Sequence, residues 1–284
     1  MNLDDNNSLP TEPPETAGVA PPSAGTAVSG LPRDLRAPWD WLDLLLLAFL
    51  ALAASVLMRL VLFRVFSAFG VTPAQLRSSP GEMGFFTIVH QVLLIFALLG
   101  YLAAQIRVSF GAPFWSTIGW HPLEAGKTPR VFRYLGLVAG GFLLAIFAQF
   151  MSVAFGNRAK LPIQTLYQDR RTALLLLLMA VLVAPVIEET IFRGYIYPVV
   201  ARSFGVATGV LATGILFGLL HAPQLWGGWV QIASLVIVGI IFTYARAVTR
   251  TVLASYLLHV SYNFFVSFAF LLGSHWLRLV TRGH

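Results

Sequence analysis

The sequence predicts an all-α protein, a polytopic transmembrane helical bundle of about seven to eight spans. Of the 284 residues, 57% are hydrophobic and only 11% are charged, whereas soluble domains have about 45–50% apolar and about 25% charged residues. The apolar residues gather in windows of about 20, the length that crosses a bilayer as a helix. Tryptophans stand at the ends of several windows, as in the aromatic belts of membrane interfaces.

The N-terminal segment differs from the rest of the chain. Residues 1–30 are rich in proline and small residues and contain no lysine or arginine. Such a segment cannot bury enough apolar surface to offset the entropy cost of ordering. It also lacks the basic start and apolar core of a signal peptide. We therefore expect a disordered tail at 1–35 and a transmembrane helical domain at 36–284.

Seven windows in the second part of the chain are apolar enough to span a membrane. In chain order they lie at 39–58, 85–105, 134–155, 172–200, 205–221, 229–245 and 251–273. The first window extends towards Phe69, so the pattern is compatible with one span more or fewer than seven. The segment 106–130 is too polar to span and is expected to form a loop with an interfacial piece. The tryptophans that flank the windows are Trp39, Trp41, Trp226, Trp229 and Trp276.

The charge pattern suits a membrane protein better than a nucleic-acid-binding one. The net charge is +7, but the basic residues mark the ends of spans rather than forming a basic run or an aromatic RNA motif. A slight excess of them on the N-terminal side favours a cytoplasmic N-terminus. We expect membrane lipids and no nucleic acid as partners, and a multi-pass protein of the cell (plasma) membrane.

The fourth window contains charged residues that lipid solvates poorly. Glu188, Glu189 and Arg193 lie in "VIEETIFRGYIYP", and a charge at mid-membrane costs about 2.5–3.5 kcal/mol on insertion scales. Glu189 and Arg193 are four residues apart, so they share a helix face and can pair. Glu188 is rotated by about 100° and stays available as a base or ligand. Pro185 removes a backbone donor and disturbs the helical turn that begins at Val181, which predicts polar space beside the pair. An alternative is an Arg–Glu clamp that only fixes helix packing.

Further polar residues lie on the following spans. His221 ends "FGLLH", and His259 opens "HVSYN" with Asn263 four residues later on the same face. A single histidine in an apolar span is usually a packing residue, and His90 in the second window is expected to be one. Buried polar groups need partners, and the carboxylates, imidazoles, arginine and asparagine are each other's nearest candidates. The sequence thus predicts one polar site, with its core at about 170–270.

Several kinds of hydrolytic chemistry are absent from the sequence. The chain has no cysteine, no HExxH, no GxGD and no GxSx-type nucleophile motif in its spans. What remains is a glutamate that takes a proton from water as the water attacks a carbonyl. Histidines can orient that water or hold a divalent metal that acidifies it, and Asn263 can donate to the developing oxyanion. Peptide-bond hydrolysis in a secluded cavity fits this set.

In these motifs the chain resembles the CPBP family, also called the Abi or CAAX prenyl protease type II family. The family pattern is EExxxR, FxxxH and HxxxN, and this chain has "EETIFR" (188–193), "FGLLH" (217–221) and "HVSYN" (259–263) in that order. The resemblance covers about residues 170–270. It implies an α-helical intramembrane endopeptidase whose substrate is a membrane-associated peptide or protein, prenylated or bacteriocin-like.

The resemblance also assigns roles to the motif residues. It implies that Glu188 activates the water, that His221 helps to bind it, and that His259 and Asn263 stabilise the tetrahedral intermediate. Glu189 with Arg193 supports the site. Family members are commonly labelled metalloproteases, for which Glu188, His221 and His259 would be the zinc ligands, and a metal-free glutamate mechanism is the alternative.

Two other functions stay open on the sequence. The first is a non-enzymatic membrane immunity or scaffold protein that binds a peptide in the same groove. The second is a proton-coupled transporter, because intramembrane Glu, His and Arg also line ion pathways. Transporters commonly have two related halves, whereas the polar groups here lie in the C-terminal half.

Overall fold

The computed structural model describes residues 32–155 and 161–273, and all regular structure in this part of the chain is helical. The helices form a bundle, as the sequence predicts. We number them α1 Trp41–Ala68, α2 Pro73–Ser78, α3 Pro80–Val108, α4 Phe114–Ile118, α5 Arg130–Phe155, α6 Arg170–Phe204, α7 Val206–Leu220, α8 Trp229–Thr249 and α9 Val252–Gly273. Short 3-10 helices lie at Arg33–Leu35 and Pro162–Tyr167.

Six helices, α1, α3, α5, α6, α8 and α9, are long and apolar enough to cross a membrane, and the apolar α7 is shorter at 15 residues. Each of the seven predicted windows falls on one of these helices. No eighth apolar helix of this kind occurs within residues 32–155 and 161–273. The polar segment at 106–130 contains the short α4 and does not span, as expected. The protein is an integral membrane protein.

Acidic residues at two helix starts act as caps. Asp40 accepts a hydrogen bond from the Leu42 backbone N–H at 2.8 Å, and Asp43 accepts one from the Asp40 N–H at 2.9 Å. This reciprocal pair satisfies N–H groups that the first turn of a helix leaves free. At the start of α6 the Thr172 N–H donates to Asp169 at 2.8 Å, which lowers the pKa of that carboxyl from its ordinary value.

The segment before α1 packs on the C-terminal helices. Residues 33–35, assigned to the tail by sequence, form a 3-10 helix with Leu35 buried, while residues 1–31 lie outside the described residues. The Arg246 guanidinium, on α8, pairs with Asp34 at 3.2 Å. The prediction for Trp39 was wrong: it is fully buried, stacks on Tyr195 and donates to the Tyr195 carbonyl at 2.8 Å.

The other flanking tryptophans behave differently. Trp41, Trp226 and Trp229 are exposed, as residues of an interfacial belt would be, and Trp276 lies outside the described residues. His90 is buried, and its Nε2 atom lies 3.1 Å from the Ser55 carbonyl oxygen. This contact joins α3 to α1 and confirms His90 as a packing residue.

Glycines allow the helices of the C-terminal half to approach closely. A Cβ added at Gly214 of α7 would lie 2.5 Å from the backbone of Ile240 on α8, and one at Gly239 would lie 2.6 Å from the Gly214 carbonyl. A Cβ at Gly141 of α5 would lie 2.5 Å from the Leu258 carbonyl on α9. Small residues at such crossings are typical of membrane helices, because packing rather than water exclusion drives their association.

The close crossing of α7 and α8 gives a stability prediction. Replacing Gly214 by alanine forces the Ile240 backbone to move, and overpacking of this kind costs about 1–3 kcal/mol. Gly136→Ala on α5 is the matched control, because its added Cβ meets nothing within 4 Å. We expect thermal unfolding in detergent to begin at a lower temperature for Gly214→Ala and at an unchanged one for Gly136→Ala. Equal melting temperatures for both variants would contradict this close packing.

Candidate active site

Helix α6 contains two π-helical segments, at Met179–Val183 and Thr190–Ile196, on either side of Ala184–Glu189. In the first, the Ala184 N–H donates to the Met179 carbonyl, five residues back. Each segment ends just before a proline, Pro185 or Pro198. Proline has no N–H, so it leaves one carbonyl of the preceding turn without its helical partner. Wide turns of this kind occur frequently at functional sites.

Asn263 satisfies the carbonyl that Pro185 leaves free. In the π register the N–H of residue 185 would bond the Ala180 carbonyl, rather than that of Val181 as in a regular α-helix. The Asn263 side-chain amide donates to the Ala180 oxygen at 2.7 Å. The predicted gap in the backbone hydrogen bonds at Pro185 is therefore present. It falls on the carbonyl of Ala180 instead of that of Val181, and the side-chain amide of Asn263 on α9 binds this carbonyl.

The predicted pair of Glu189 and Arg193 is present and fully buried. Arg193 Nη1 donates to Glu189 Oε1 at 3.0 Å. The other two nitrogens of the guanidinium bind α8: Nη2 donates to the Gly239 carbonyl at 2.8 Å and Nε to the Thr243 hydroxyl at 3.2 Å. A buried charge is stable only when its hydrogen-bonding groups are matched. Helices α6 and α8 give each nitrogen of the guanidinium a partner, whereas Glu189 Oε2 is buried without one among the described residues.

His259 lies between the two carboxylates. Its Nδ1 is 2.8 Å from Glu189 Oε1, and its Nε2 is 3.6 Å from Glu188 Oε2. Because Arg193 holds Glu189 as an acceptor, Nδ1 carries the proton of this hydrogen bond. Nε2 then faces Glu188. The Glu188 side chain is 26% exposed, whereas that of Glu189 is fully buried. The two adjacent glutamates thus lie in different environments, as their positions on the helix predict.

Aromatic rings enclose the charged groups. The Arg193 guanidinium carbon lies 4.5 Å from the ring centre of Phe217 and 5.5 Å from that of Phe242. The His259 ring lies 5.0 Å from the Phe242 ring and 5.6 Å from that of Phe217. A cation over an aromatic face is attracted by the ring quadrupole, and more strongly when water is excluded. The rings therefore stabilise the arginine and fix the imidazole plane.

His221 reaches the same aromatic group from the end of α7. Its ring centre lies 4.9 Å from that of Phe217, and its Nδ1 is 2.8 Å from the Phe217 carbonyl oxygen. A carbonyl only accepts, so Nδ1 is the protonated nitrogen and Nε2 is left as an acceptor. His221 therefore borders the site through Phe217, whereas His259 contacts both carboxylates directly.

The six predicted site residues thus fall into two groups. Glu188, Glu189, Arg193 and His259 form one contact network, and His221 and Asn263 contact backbone carbonyls beside it. Sequence reasoning missed the partners of Arg193 on α8. Gly239 and Thr243 are four residues apart on α8, and this spacing of a small and a hydroxyl residue was the available signal.

Sequence reasoning also missed a contact from the loop before α5. The Trp120 indole N–H donates to the Thr190 hydroxyl at 3.0 Å, and that hydroxyl donates to the Val186 carbonyl at 2.7 Å. Trp120 therefore supports α6 directly next to Glu189. No spacing rule connects a loop tryptophan with a threonine 70 positions later.

The predicted zinc ligands do not form a ligand set. Within the described residues, no group of three or more His, Asp or Glu is arranged to hold a metal ion. His221 contacts the carbonyl and the ring of Phe217, and within the described residues no hydrogen bond or ion pair joins it to Glu188 or His259. A guanidinium next to the carboxylates also repels a divalent cation. The donor set of Glu188, His221 and His259 therefore does not fit zinc in this arrangement.

The fold and the network define a class of protein: an integral membrane protein with glutamates and a histidine gathered inside its helical bundle. Comparison with known families gives a more specific result. Residues 170–265 match the family described as type II CAAX prenyl endopeptidase, Rce1-like. The matched segment is about a third of the chain, runs from the start of α6 into α9, and contains all six predicted site residues.

The family match confirms the resemblance that the three motifs indicate. The matched family is one of CAAX-type prenyl endopeptidases. No curated protein and no solved structure matches the chain.

The buried ion pair gives a prediction about stability. Arg193→Met removes the guanidinium and leaves the buried Glu189 carboxylate with the His259 imidazole in place of a full cation as its partner, and breaking a buried ion pair in this way costs about 3–5 kcal/mol. Adding Glu189→Gln removes the unpaired charge, so we expect the double variant to recover part of the loss. Thermal unfolding in detergent of the wild type, both single variants and the double variant measures the coupling. Additive losses in the double variant would contradict a direct pair.

Proposed function

We propose that the protein is an intramembrane endopeptidase that hydrolyses a peptide bond through a water molecule activated by Glu188. The observation that carries this proposal is the position of the Glu188 carboxylate, partly exposed and 3.6 Å from His259 Nε2. Its neighbour Glu189 is neutralised by Arg193 and holds the other side of the same imidazole. Glu189 therefore has a structural role in the site, whereas Glu188 is free to exchange a proton.

The proposed reaction follows from these positions. Glu188 removes a proton from water as the water oxygen attacks the carbonyl carbon of the scissile amide. The new C–O bond forms a tetrahedral intermediate with a negatively charged oxygen. Glu188 then returns its proton to the amide nitrogen as the C–N bond breaks. The acid and amine products separate, and the carboxylate is ready for another cycle.

His259 is suited to support the intermediate. Its Nδ1 is held by Glu189 and its Nε2 lies 3.6 Å from Glu188, so Nε2 is the nitrogen directed towards the reacting groups. When it bears a proton, Nε2 donates a hydrogen bond towards the oxyanion, which is where electrostatic stabilisation matters most.

Asn263 and His221 have more limited roles in this proposal. One N–H of the Asn263 amide is bound to Ala180, which leaves the second N–H for the oxyanion. His221 Nε2 is the acceptor left to orient the attacking water. The aromatic rings of Phe217 and Phe242 exclude bulk water from the charged groups, which strengthens their electrostatic effect.

The proposed substrate is a protein or peptide held at the membrane. The family description names CAAX prenyl endopeptidases, which supports a lipid-modified C-terminal segment as the substrate; a bacteriocin-like peptide is the alternative. We propose that the protein works in the cell membrane. The non-enzymatic binding function predicted as an alternative is tested by the same variants, since binding does not require a proton acceptor at Glu188.

Glu188→Gln is the test of the proposed base. The amide preserves the size of the side chain but cannot take a proton, and loss of a general base reduces the rate by about 10²–10⁴-fold. Purified protein in lipid nanodiscs is incubated with prenylated CAAX peptides, and products are identified by mass spectrometry. Glu82→Gln, the same change in the first turn of α3, is the control and should cleave normally. Unchanged cleavage by Glu188→Gln would refute the proposed mechanism.

The ligand geometry predicts that activity does not depend on metal. We expect cleavage to persist after treatment with 1,10-phenanthroline and EDTA, because the described residues contain no group of three or more His, Asp or Glu arranged to hold a metal ion. Elemental analysis of the purified protein should find zinc well below one atom per chain. Inhibition by the chelator that is reversed by added zinc would contradict the metal-free route and favour the ligand set Glu188, His221 and His259.

A further inference from the structure

A polar concavity lies at one end of the bundle, apart from the residues of the proposed active site. It has a volume of about 460 Å³ and is lined by 124–128, Arg133 and 248–250. These residues belong to the loop before α5, the first turn of α5 and the end of α8. Arg246 pairs with Asp34 one turn earlier on α8, which places the concavity at the end of the bundle where α1 begins.

The concavity has an excess of positive charge. Lys127, Arg133 and Arg250 line it, against Glu124 as its acidic residue. Lys127 and Arg250 make no ion pair within the part of the chain that the structure describes. Arg133 is held in place because its Nη1 donates to the Glu124 carbonyl at 2.7 Å, which leaves its other nitrogens as donors. The three cations therefore face a common space without protein carboxylates to neutralise all of them.

Arg250 enters this space from an unusual backbone position. It is the one described residue other than glycine with a positive φ, at 60°, and it ends α8 in the left-handed conformation. Glycine adopts this conformation without the steric cost that a side chain brings. The end of the helix thus has a strained residue that sets a guanidinium at the rim of the concavity, and strain of this kind often accompanies binding sites.

The surroundings identify the type of anion. Two apolar side chains at the concavity are exposed: Val248, which lines it, and Phe132, the neighbour of Arg133 in the first turn of α5, are each 62% exposed. In an integral membrane protein these faces meet acyl chains. A ligand for this place combines a negative headgroup with an apolar body. Basic pockets at the ends of membrane helices recognise lipid headgroups in this way.

We propose that the basic concavity formed by Lys127, Arg133 and Arg250 binds the phosphate headgroup of an anionic membrane lipid. The phosphate would accept hydrogen bonds from the guanidinium groups, whose planar fork suits phosphate oxygens. The acyl chains would lie along the exposed faces of α5 and α8. This site is separate from the proposed protease chemistry, so it does not depend on that function.

The test measures lipid adducts by native mass spectrometry. Purified protein in detergent is titrated with phosphatidylglycerol or phosphatidylcholine of the same chain length. We expect the wild type to bind phosphatidylglycerol at least about fivefold more tightly, a difference that Lys127→Ala/Arg250→Ala should abolish. The control is Arg77→Ala/Arg130→Ala, which removes the same charge from exposed positions that do not line the concavity. It should retain the preference.

Three results would overturn the proposal. Equal binding of the two lipids by the wild type would mean that the concavity does not select an anion. An equal loss of the preference for phosphatidylglycerol in Lys127→Ala/Arg250→Ala and in the control variant would mean that the lipid is attracted by the net charge of the protein and not by the concavity. Displacement of the lipid by millimolar inorganic phosphate, with no dependence on acyl chains, would assign the site to free phosphate. A melting curve for each variant checks that a loss of binding is not a loss of folding.

Discussion

The buried ion pair between Glu189 and Arg193 is the interaction on which the site depends. Both side chains are inaccessible, in a bundle whose surroundings cannot hydrate a charge. The arginine is stable there because two backbone or hydroxyl oxygens of α8 and the rings of Phe217 and Phe242 complete its environment. Once neutralised, Glu189 can hold His259, and His259 in turn faces Glu188. The chemistry proposed for Glu188 therefore depends on the buried ion pair of Glu189 with Arg193.

Much of the fold was predictable, because the membrane imposes simple rules on sequence. Seven apolar windows correspond to six long helices and α7. The Glu189–Arg193 contact also followed from helical spacing, since the two residues are four apart. The grouping of Glu188 with His259 followed from a weaker argument, that buried polar groups need partners. That argument does not predict distances. It placed His221 and Asn263 in one group with the carboxylates, whereas in the structure each of them contacts a backbone carbonyl.

What could not be predicted depends on contacts between residues far apart in sequence. Trp39 precedes an apolar window in the manner of an interfacial residue, yet it is buried against Tyr195, 156 positions later. The resemblance left zinc and a metal-free mechanism as alternatives, and the ligand geometry that distinguishes them is a property of the folded bundle. The π-helical turns of α6 are not visible in the sequence, because the segment is apolar on most sides and shows no clear hydrophobic periodicity. A regular α-helix was therefore assumed, in which Pro185 frees the carbonyl of Val181 rather than that of Ala180.

The wide turns of α6 have a consequence for its tolerance of changes in length. A π turn holds one more residue than an α turn, so losing one residue from Met179–Val183 converts the wide turn into a regular α turn. Both kinds of turn close about one full rotation of the helix, so the parts of α6 on either side keep nearly the same faces. If the lost residue is Val181, Leu182 or Val183, Pro185 follows Ala180 by four residues, so the Ala180 carbonyl still lacks a backbone donor and remains available to Asn263. The wide turn is thus a place where α6 can change its length by one residue while Glu188 still faces α9.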